Sequence, residues 1–368
     1  MDIISLYESL EFIKPEIAIS ATLLLIVIFD LIFRTKKSVL PVIGTAGLIA
    51  TLYILVSDLY ITGFAFTISE SNTSYGMVAV DSFGTYFKVL ITICSILIIY
   101  FSEASIEIRK TYDRKGEYYT LVFGMILGMF LLVSASDLIL IYLSLELLSL
   151  SSYLLAGFTK LRNRNSEASL KYLLYGATAS ALMLFGISLL YGFTGTTNLV
   201  AINLALQTSQ IDLLILSFSL ILLFVGIGYK ISAVPFHFWT PDVYEGAPIP
   251  ITAFLSVASK AAGFALLIRV IRTSFVLSLD DHGTWVMLYG FDWQKLLIVI
   301  SLLTMTFGNL VALWQYNLKR MLAYSSIAHA GYMLLGLAAL SNQGVIAILI
   351  YFFVYMLMNI GAFFIVRI

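Results

Sequence analysis

Five ionisable residues lie within or at the edge of long apolar runs: Glu146, Lys171, Lys230, Lys260 and His329. A charged side chain at the centre of a membrane helix costs about 2.5–3.5 kcal/mol on insertion scales, so each must face a partner or water. Helical spacing groups them with hydroxyls. Tyr142, Glu146, Ser149 and Tyr153 share one face, and Lys171, Tyr175 and Thr178 share another. Thr252, Ser256 and Lys260 form a third stripe, and Ser325, His329 and Tyr332 a fourth. Packed inward, such stripes make a hydrated polar line through a bundle, and the chemistry open to that line is proton transfer. Lysine suits it, because burial lowers an amine's pKa from about 10.4 while a nearby carboxylate raises it. At an effective dielectric near 20, unit charges about 4 Å apart interact by about 4 kcal/mol, roughly three pKa units. A carboxylate that withdraws or is neutralised therefore helps a lysine release its proton, and Glu146 is the carboxylate available.

A plainer role is structural: one Glu–Lys pair staples two helices, and Ser, Tyr and His satisfy neighbouring backbone groups. Three lysines, a glutamate and a histidine exceed what stapling requires, which favours transport. For His329 alone, a satisfied core position and a relay role both stand open. His237 beside Trp239 reads as interfacial, and His282 beside Asp280 and Asp281 as solvated; three scattered histidines and one cysteine offer no metal-ligand spacing.

The elements that must position these residues are membrane helices. A bilayer core of about 30 Å takes roughly 20 apolar residues per helix. That ruler places eleven spans at 17–33, 39–57, 83–101, 119–136, 138–158, 170–191, 211–233, 251–271, 296–314, 321–340 and 345–366. Alternate loops carry Arg34, Lys36 and Lys37, then Arg109, Lys110, Arg114 and Lys115, then Lys160, Arg162 and Arg164, then Lys319 and Arg320, with Arg367 at the end. The intervening loops hold Asp58, Glu70, Asp81, Asp137 and Asp212, with Arg269 and Arg272 as exceptions. Retention of positive residues inside sets the N-terminus outside. Pro235 follows Lys230 closely, so the seventh helix ends or breaks there, either to line a cavity or as an ordinary end with an interfacial loop.

Composition agrees. The chain has 60% hydrophobic and 11% charged residues and a mean hydropathy of +0.98, against about 25% charged residues in a soluble domain. With 21 basic and 21 acidic residues there is no basic face for nucleic acid. Cys94 is alone, so no disulfide or cysteine metal site forms within the chain. Glu8, Glu11 and Glu16 precede the first apolar run, unlike the basic start of a signal peptide. Dinucleotide, flavin and iron–sulfur motifs are missing, which excludes electron transfer by this chain.

Five stretches carry a resemblance: 137–150 around Glu146, 167–176 around Lys171, Gly-Tyr-Lys-Ile-Ser-Ala-Val-Pro-Phe-His-Phe-Trp-Thr-Pro-Asp-Val-Tyr-Glu-Gly-Ala-Pro at 228–248, 253–264 around Lys260, and 319–332 around His329. Over about residues 117–365 the chain resembles the antiporter-like membrane subunits of respiratory complex I. The Val-Tyr-Glu-Gly-Ala-Pro stretch favours the N-type subunit of bacterial NADH:quinone oxidoreductase, with its chloroplast and mitochondrial relatives.

The resemblance implies an all-α polytopic fold of fourteen helices with two inverted five-helix repeats, each with a broken helix. Here 1–116 would hold three N-terminal spans, 117–272 the first repeat, and 292–368 an incomplete second repeat. Glu146 would pair with Lys230 and tune it, Lys171 would serve the input side, Lys230 would pass protons through water to Lys260, and His329 would lie near the link to the second half. The family continues for three more helices, so a truncated copy or a second polypeptide is expected. Partners would be M-type and K-type membrane neighbours, with NADH, flavin, iron–sulfur clusters and quinone in other subunits. The setting would be the bacterial inner membrane or an organellar energy-coupling membrane. A cation/proton antiporter subunit of the same superfamily is the alternative, and a scaffold whose buried charges only fix packing is a third reading.

Overall fold

In lipid, a run of apolar residues satisfies every backbone N–H and C=O by coiling into an α-helix. The computed structural model describes residues 3–33, 37–70, 73–159, 163–208, 212–288 and 290–366. Among them are eleven helices long and apolar enough to cross a membrane, one for each expected span. In chain order the helices are α1 (Ile3–Phe12), α2 (Lys14–Ile32), α3 (Leu40–Ser57), α4 (Ser82–Ala104), α5 (Ile106–Arg109), α6 (Lys115–Ser134), α7 (Leu138–Ala156) and α8 (Asn163–Thr194). They continue as α9 (Leu199–Thr208), α10 (Leu213–Ile231), α11 (Trp239–Gly246), α12 (Ile249–Phe254), α13 (Lys260–Phe275), α14 (Trp293–Ala312), α15 (Leu318–Ala338) and α16 (Asn342–Val366). Of the basic residues used to orient the chain, Arg34, Lys36, Lys160, Arg162 and Arg367 lie outside the described residues.

The acidic loop residues work at helix starts. Asp81 accepts from the Gly84 amide at 2.7 Å, Asp137 from Ile139 at 2.9 Å, Asp212 from Leu214 at 2.8 Å, and Asp292 from Lys295 at 2.9 Å. Each satisfies an orphan amide and sets negative charge against the positive end of the helix dipole. Arg269, an exception in the charge pattern, is neutralised there. Two of its nitrogens donate to Asp81 at 2.9 Å each and its Nε donates to the Val133 carbonyl at 2.9 Å. Burial raises the Asp81 carboxyl, but Arg269 outweighs that and holds it below the usual carboxylate range.

The loops expected around Glu70 and His282 carry hairpins instead. β1 (Gly63–Glu70) pairs antiparallel with β2 (Thr73–Val80), and β3 (Val276–Leu279) with β4 (Trp285–Met287). Aromatic and β-branched residues such as Phe64, Phe66, Tyr75, Val78 and Val80 favour the pleat, a signal that a hydropathy ruler passes over.

The eighth span sits at the centre. Its residues 250–271 are all buried, whereas α2 and α14 turn Leu24, Leu31, Leu302 and Leu310 outward. It packs against α4, α6, α10 and α16. Lipid gives helices no hydrophobic reason to associate, so close backbone approach matters. At α14 and α15 two glycines permit it: a Cβ on Gly308 would fall 2.6 Å from the Ala328 nitrogen, and one on Gly331 would fall 2.7 Å from that of Met305. This contact holds α15, which bears Ser326 and His329, in register against the core.

Candidate functional site

Lys230 occupies the last turn of α10. The helix stops at Ile231 because Ser232 adopts a left-handed conformation (φ 62°, ψ 35°), its amide still bonded to Gly228 and Tyr229. The break therefore comes before Pro235, and the chain crosses residues 233–238 before α11. Broken-helix backbone needs partners away from lipid, and Val234 finds one in Thr304, donating to its hydroxyl at 3.0 Å. Lys230 is 1% exposed, and its Nζ donates to Ser149 Oγ at 3.1 Å. Its Nζ also lies 6.0 Å from the centre of the Tyr172 ring, which stacks on Trp239 at 4.4 Å.

Glu146 is half-buried one turn before Ser149 on α7. It makes no ion pair with Lys230 among the described residues; its carboxylate accepts from Ser180 Oγ instead. The direct pair expected from the resemblance is absent, because the α10 end leaves the ammonium against Ser149.

Lys260 opens α13, immediately after a π-helical turn at Leu255–Ser259 that the sequence reading took as regular helix. Such turns add a residue to the ladder, free backbone groups, and recur at functional sites. Here the Ser256 carbonyl accepts from Tyr355 Oη at 3.3 Å, and Ser256 Oγ accepts from Asn359 at 3.0 Å. Lys260 is 1% exposed and donates to the Ser326 carbonyl at 2.8 Å and hydroxyl at 2.9 Å. His329, half-buried, meets Tyr351 Oη through Nδ1 at 2.5 Å.

Two expected stripes are displaced by one residue. On α15 it is Ser326 that turns inward to Lys260, while Tyr332 is 39% exposed. On α8 the buried face is Tyr172, Gly176, Ala179 and Ser180, and Tyr175 and Thr178 face outward. Lys171 is accordingly not buried, with 39% of its side chain exposed; it pairs with Asp242 at 2.7 Å and Glu167 at 2.8 Å. It belongs to a charge network at the basic end of the bundle. Asp242 also meets Arg320 at 2.6 Å, and Glu245 meets Arg320 at 3.0 Å and Arg164 at 2.9 Å. These groups line a half-open cavity of about 290 Å³.

Asp242 carries a pH signature. Burial raises its carboxyl, but the Lys171 and Arg320 hydrogen bonds outweigh that and hold it below its ordinary 3.8. A depressed carboxyl contributes stability that is present above the unfolded pKa and is lost as pH falls through the lower folded value. Asp242→Asn is therefore expected to lower the thermal midpoint at neutral pH, with the gap to the parent closing only below 3.8. Paired melts over a falling pH series check this, and a gap already closed well above that value contradicts it.

The sequence reading missed one buried pair. Lys88 on α4 and Glu16 on α2 meet at 2.5 Å, with side chains 4% and 5% exposed, and among the described residues no other hydrogen bond satisfies the Glu16 carboxylate. Lys88 lies inside the span at 83–101, so the insertion cost that singled out Lys230 applied to it equally.

The protein-family model described as "NADH:quinone oxidoreductase/Mrp antiporter, TM" matches residues 135–368. A relative from Chloroherpeton thalassium named NADH-quinone oxidoreductase subunit N 2 is 46% identical, covering 96% of this chain and 67% of its own length. Among solved structures, a chain of respiratory complex I from Thermus thermophilus superposes with a TM-score of 0.74 at 32% identity, covering 95% of this chain and 69% of that one. A chain of an Mrp complex from a Dietzia species shares the fold, with a TM-score of 0.78 at 20% identity over 96% of this chain and 64% of that one. The chain thus spans about two thirds of the length of the proteins it matches. The chain is a multi-pass inner-membrane protein and belongs to the antiporter-like membrane subunits of NADH:quinone oxidoreductase, in their N-type branch.

Proposed function

We propose that this chain relays protons across the membrane as a non-redox subunit of an NADH:quinone oxidoreductase. The observation that carries the reading is a contrast among the buried lysines, of which Lys37, Lys88 and Lys115 pair with Asp30, Glu16 and Glu103. Lys88 faces a carboxylate at 2.5 Å, the arrangement of a staple. Among the described residues, Lys230 and Lys260, equally buried, hydrogen-bond only to hydroxyl and carbonyl oxygens. A hydroxyl can accept from an ammonium and donate to a neutral amine, so these sites hold the side chain in either protonation state. A relay group needs that property and a staple does not.

In this reading Lys171 and Asp242 form the uptake side, Glu146 biases Lys230 through its charge, and Lys230 passes the proton inward to Lys260. His329, bonded to Tyr351, leads toward α16. Residues 1–116 form the N-terminal three spans, 117–272 the first repeat and 292–368 part of the second. NADH, flavin, iron–sulfur clusters and quinone belong to partner subunits, with M-type and K-type membrane neighbours. The redox step occurs there and reaches this chain as a conformational or electrostatic bias on Glu146.

The test is proton uptake and quinone-reduction rate in inverted vesicles for Lys260→Ala against the parent, after assembly is checked on a native gel. Both rates are expected to fall together, by roughly tenfold or more. Unchanged rates sink the relay reading and favour a scaffold, and sodium-dependent exchange without quinone-reducing partners favours an antiporter.

A further inference from the structure

Three of the four tryptophans are buried, and two of their indoles are bonded: Trp239 donates to the Tyr229 carbonyl at 3.0 Å and Trp285 to Asn342 at 3.1 Å. The third, Trp293, is 2% exposed, and its Nε1 has no hydrogen-bond partner among the described residues. An indole N–H only donates, and a buried one nearly always finds an acceptor. Trp293 stands in the wall of a half-open cavity of about 600 Å³, a volume typical of small-ligand pockets. Leu213, Trp285, Leu288, Phe291 and Leu340 line it as well. Neither Gln294 nor Asp292, on the same wall, supplies the acceptor. Gln294 donates to the Ala338 carbonyl at 3.4 Å, and Asp292 accepts from the Lys295 amide and pairs with its ammonium at 2.8 Å.

The cavity lies where three spans end. α10 begins at Leu213, α14 begins at Trp293, and α15 closes at Ala338, beside the lining residue Ala339. This is the depth at which hydrocarbon gives way to headgroups and aromatic side chains gather. Leu213 is exposed on α10, so the mouth of the cavity reaches the surface that meets lipid.

We propose that this cavity seats one zwitterionic diacyl phospholipid from the leaflet at the acidic end, with a glycerol-ester carbonyl accepting from Trp293 Nε1. Depth selects that part of the molecule: at a span end the ester carbonyls are the acceptors a lipid offers, below its headgroup and above its chains. The apolar and aromatic wall takes the first methylenes, and the chains leave past Leu213. Asp292 and Lys295, exposed and paired, present both signs of charge to a headgroup that carries both. The lipid ties the start of α14 to the start of α10. Further along, α14 meets the broken segment directly, through Val234 on Thr304 and through the His237 ring 5.2 Å from that of Phe307. The site takes no part in the proton path and stands whether or not the relay reading holds.

The test uses the assembled complex in vesicles doped with a diester phospholipid that carries a photoactivatable group near the ester. Peptides covering residues 285–297 are expected to label more strongly than those bearing Leu302 and Leu310, which face outward on α14 and report ordinary surface lipid. Unlabelled diester lipid is expected to compete about fivefold better than its diether analogue, which lacks the carbonyl. Trp293→Phe removes the N–H and keeps an aromatic ring, and the preference for the ester is expected to vanish. Ala339→Trp fills the cavity from an exposed helix end and is expected to abolish labelling there while that of Leu302 persists. Cavity peptides that label no more than the outward ones mean surface lipid only and overturn the site. Equal competition by diester and diether lipids in the parent overturns the bond to Trp293, and with it the proposal.

Discussion

Replacing Lys230 with alanine is expected to cut proton uptake by on the order of 10²-fold, the range in which a positioned proton-transfer group contributes. Lys230→Arg is expected to fail as badly, and this second variant decides the role. Arginine keeps a positive charge at every accessible pH and cannot release its proton. If the buried charge only fixed the packing of α10 against α7, arginine would preserve it and pumping would survive. If Lys230 must cycle between ammonium and amine against Ser149, which bonds it at 3.1 Å, neither variant can serve. Complex assembly should persist in the alanine form, because no carboxylate among the described residues is left buried without its ion-pair partner. The measurement is dye-reported acidification of inverted vesicles beside quinone reduction. Parental pumping by the arginine variant would return Lys230 to a structural role.

Lys88→Ala is expected to destabilise the protein by about 3–5 kcal/mol, because it strands a charged Glu16 in the interior. The double replacement Glu16→Leu with Lys88→Met removes both charges at similar volume, and such swaps range from neutral to about 1–4 kcal/mol stabilising. The thermal midpoint of the purified complex should drop sharply in the single variant and recover in the double. Proton uptake per quinone reduced should stay at the parental value in the double variant. Loss of pumping there would make the pair of α2 and α4 part of the path and would undo the contrast between staple and relay lysines.

Much of the fold was legible in the sequence. All eleven spans could be read off because the cost of placing a polar group in lipid is paid residue by residue, and hydropathy sums it locally. The same cost marked Glu146, Lys230 and Lys260, and it should have marked Lys88, which lies in an equally apolar run. Helix faces were harder. A stripe at 3- and 4-residue spacing shows which side chains share a face, but which stripe turns inward depends on the neighbours. Thr252, Ser256 and Lys260 all lie in the interior because residues 250–271 are buried on every side, although the π turn between them breaks the regular spacing that would align them as one stripe. On α8 and α15, which keep a lipid-facing side, the expected polar stripe lies one residue away from the buried Tyr172 and Ser326.

The sequence by itself determined the membrane class, the number of spans, the break near Pro235 and the residue types available for proton transfer, because each follows from local insertion cost and backbone chemistry. Only the tertiary structure decided who meets whom. It sets Ser149 rather than Glu146 against Lys230, Ser326 against Lys260, and Asp242 against Lys171 at the surface. Those pairings depend on where α10 stops at Ser232, on the π turn that re-aims Lys260, and on the glycine contacts that seat α15, all of which are settled by packing between helices distant in the chain.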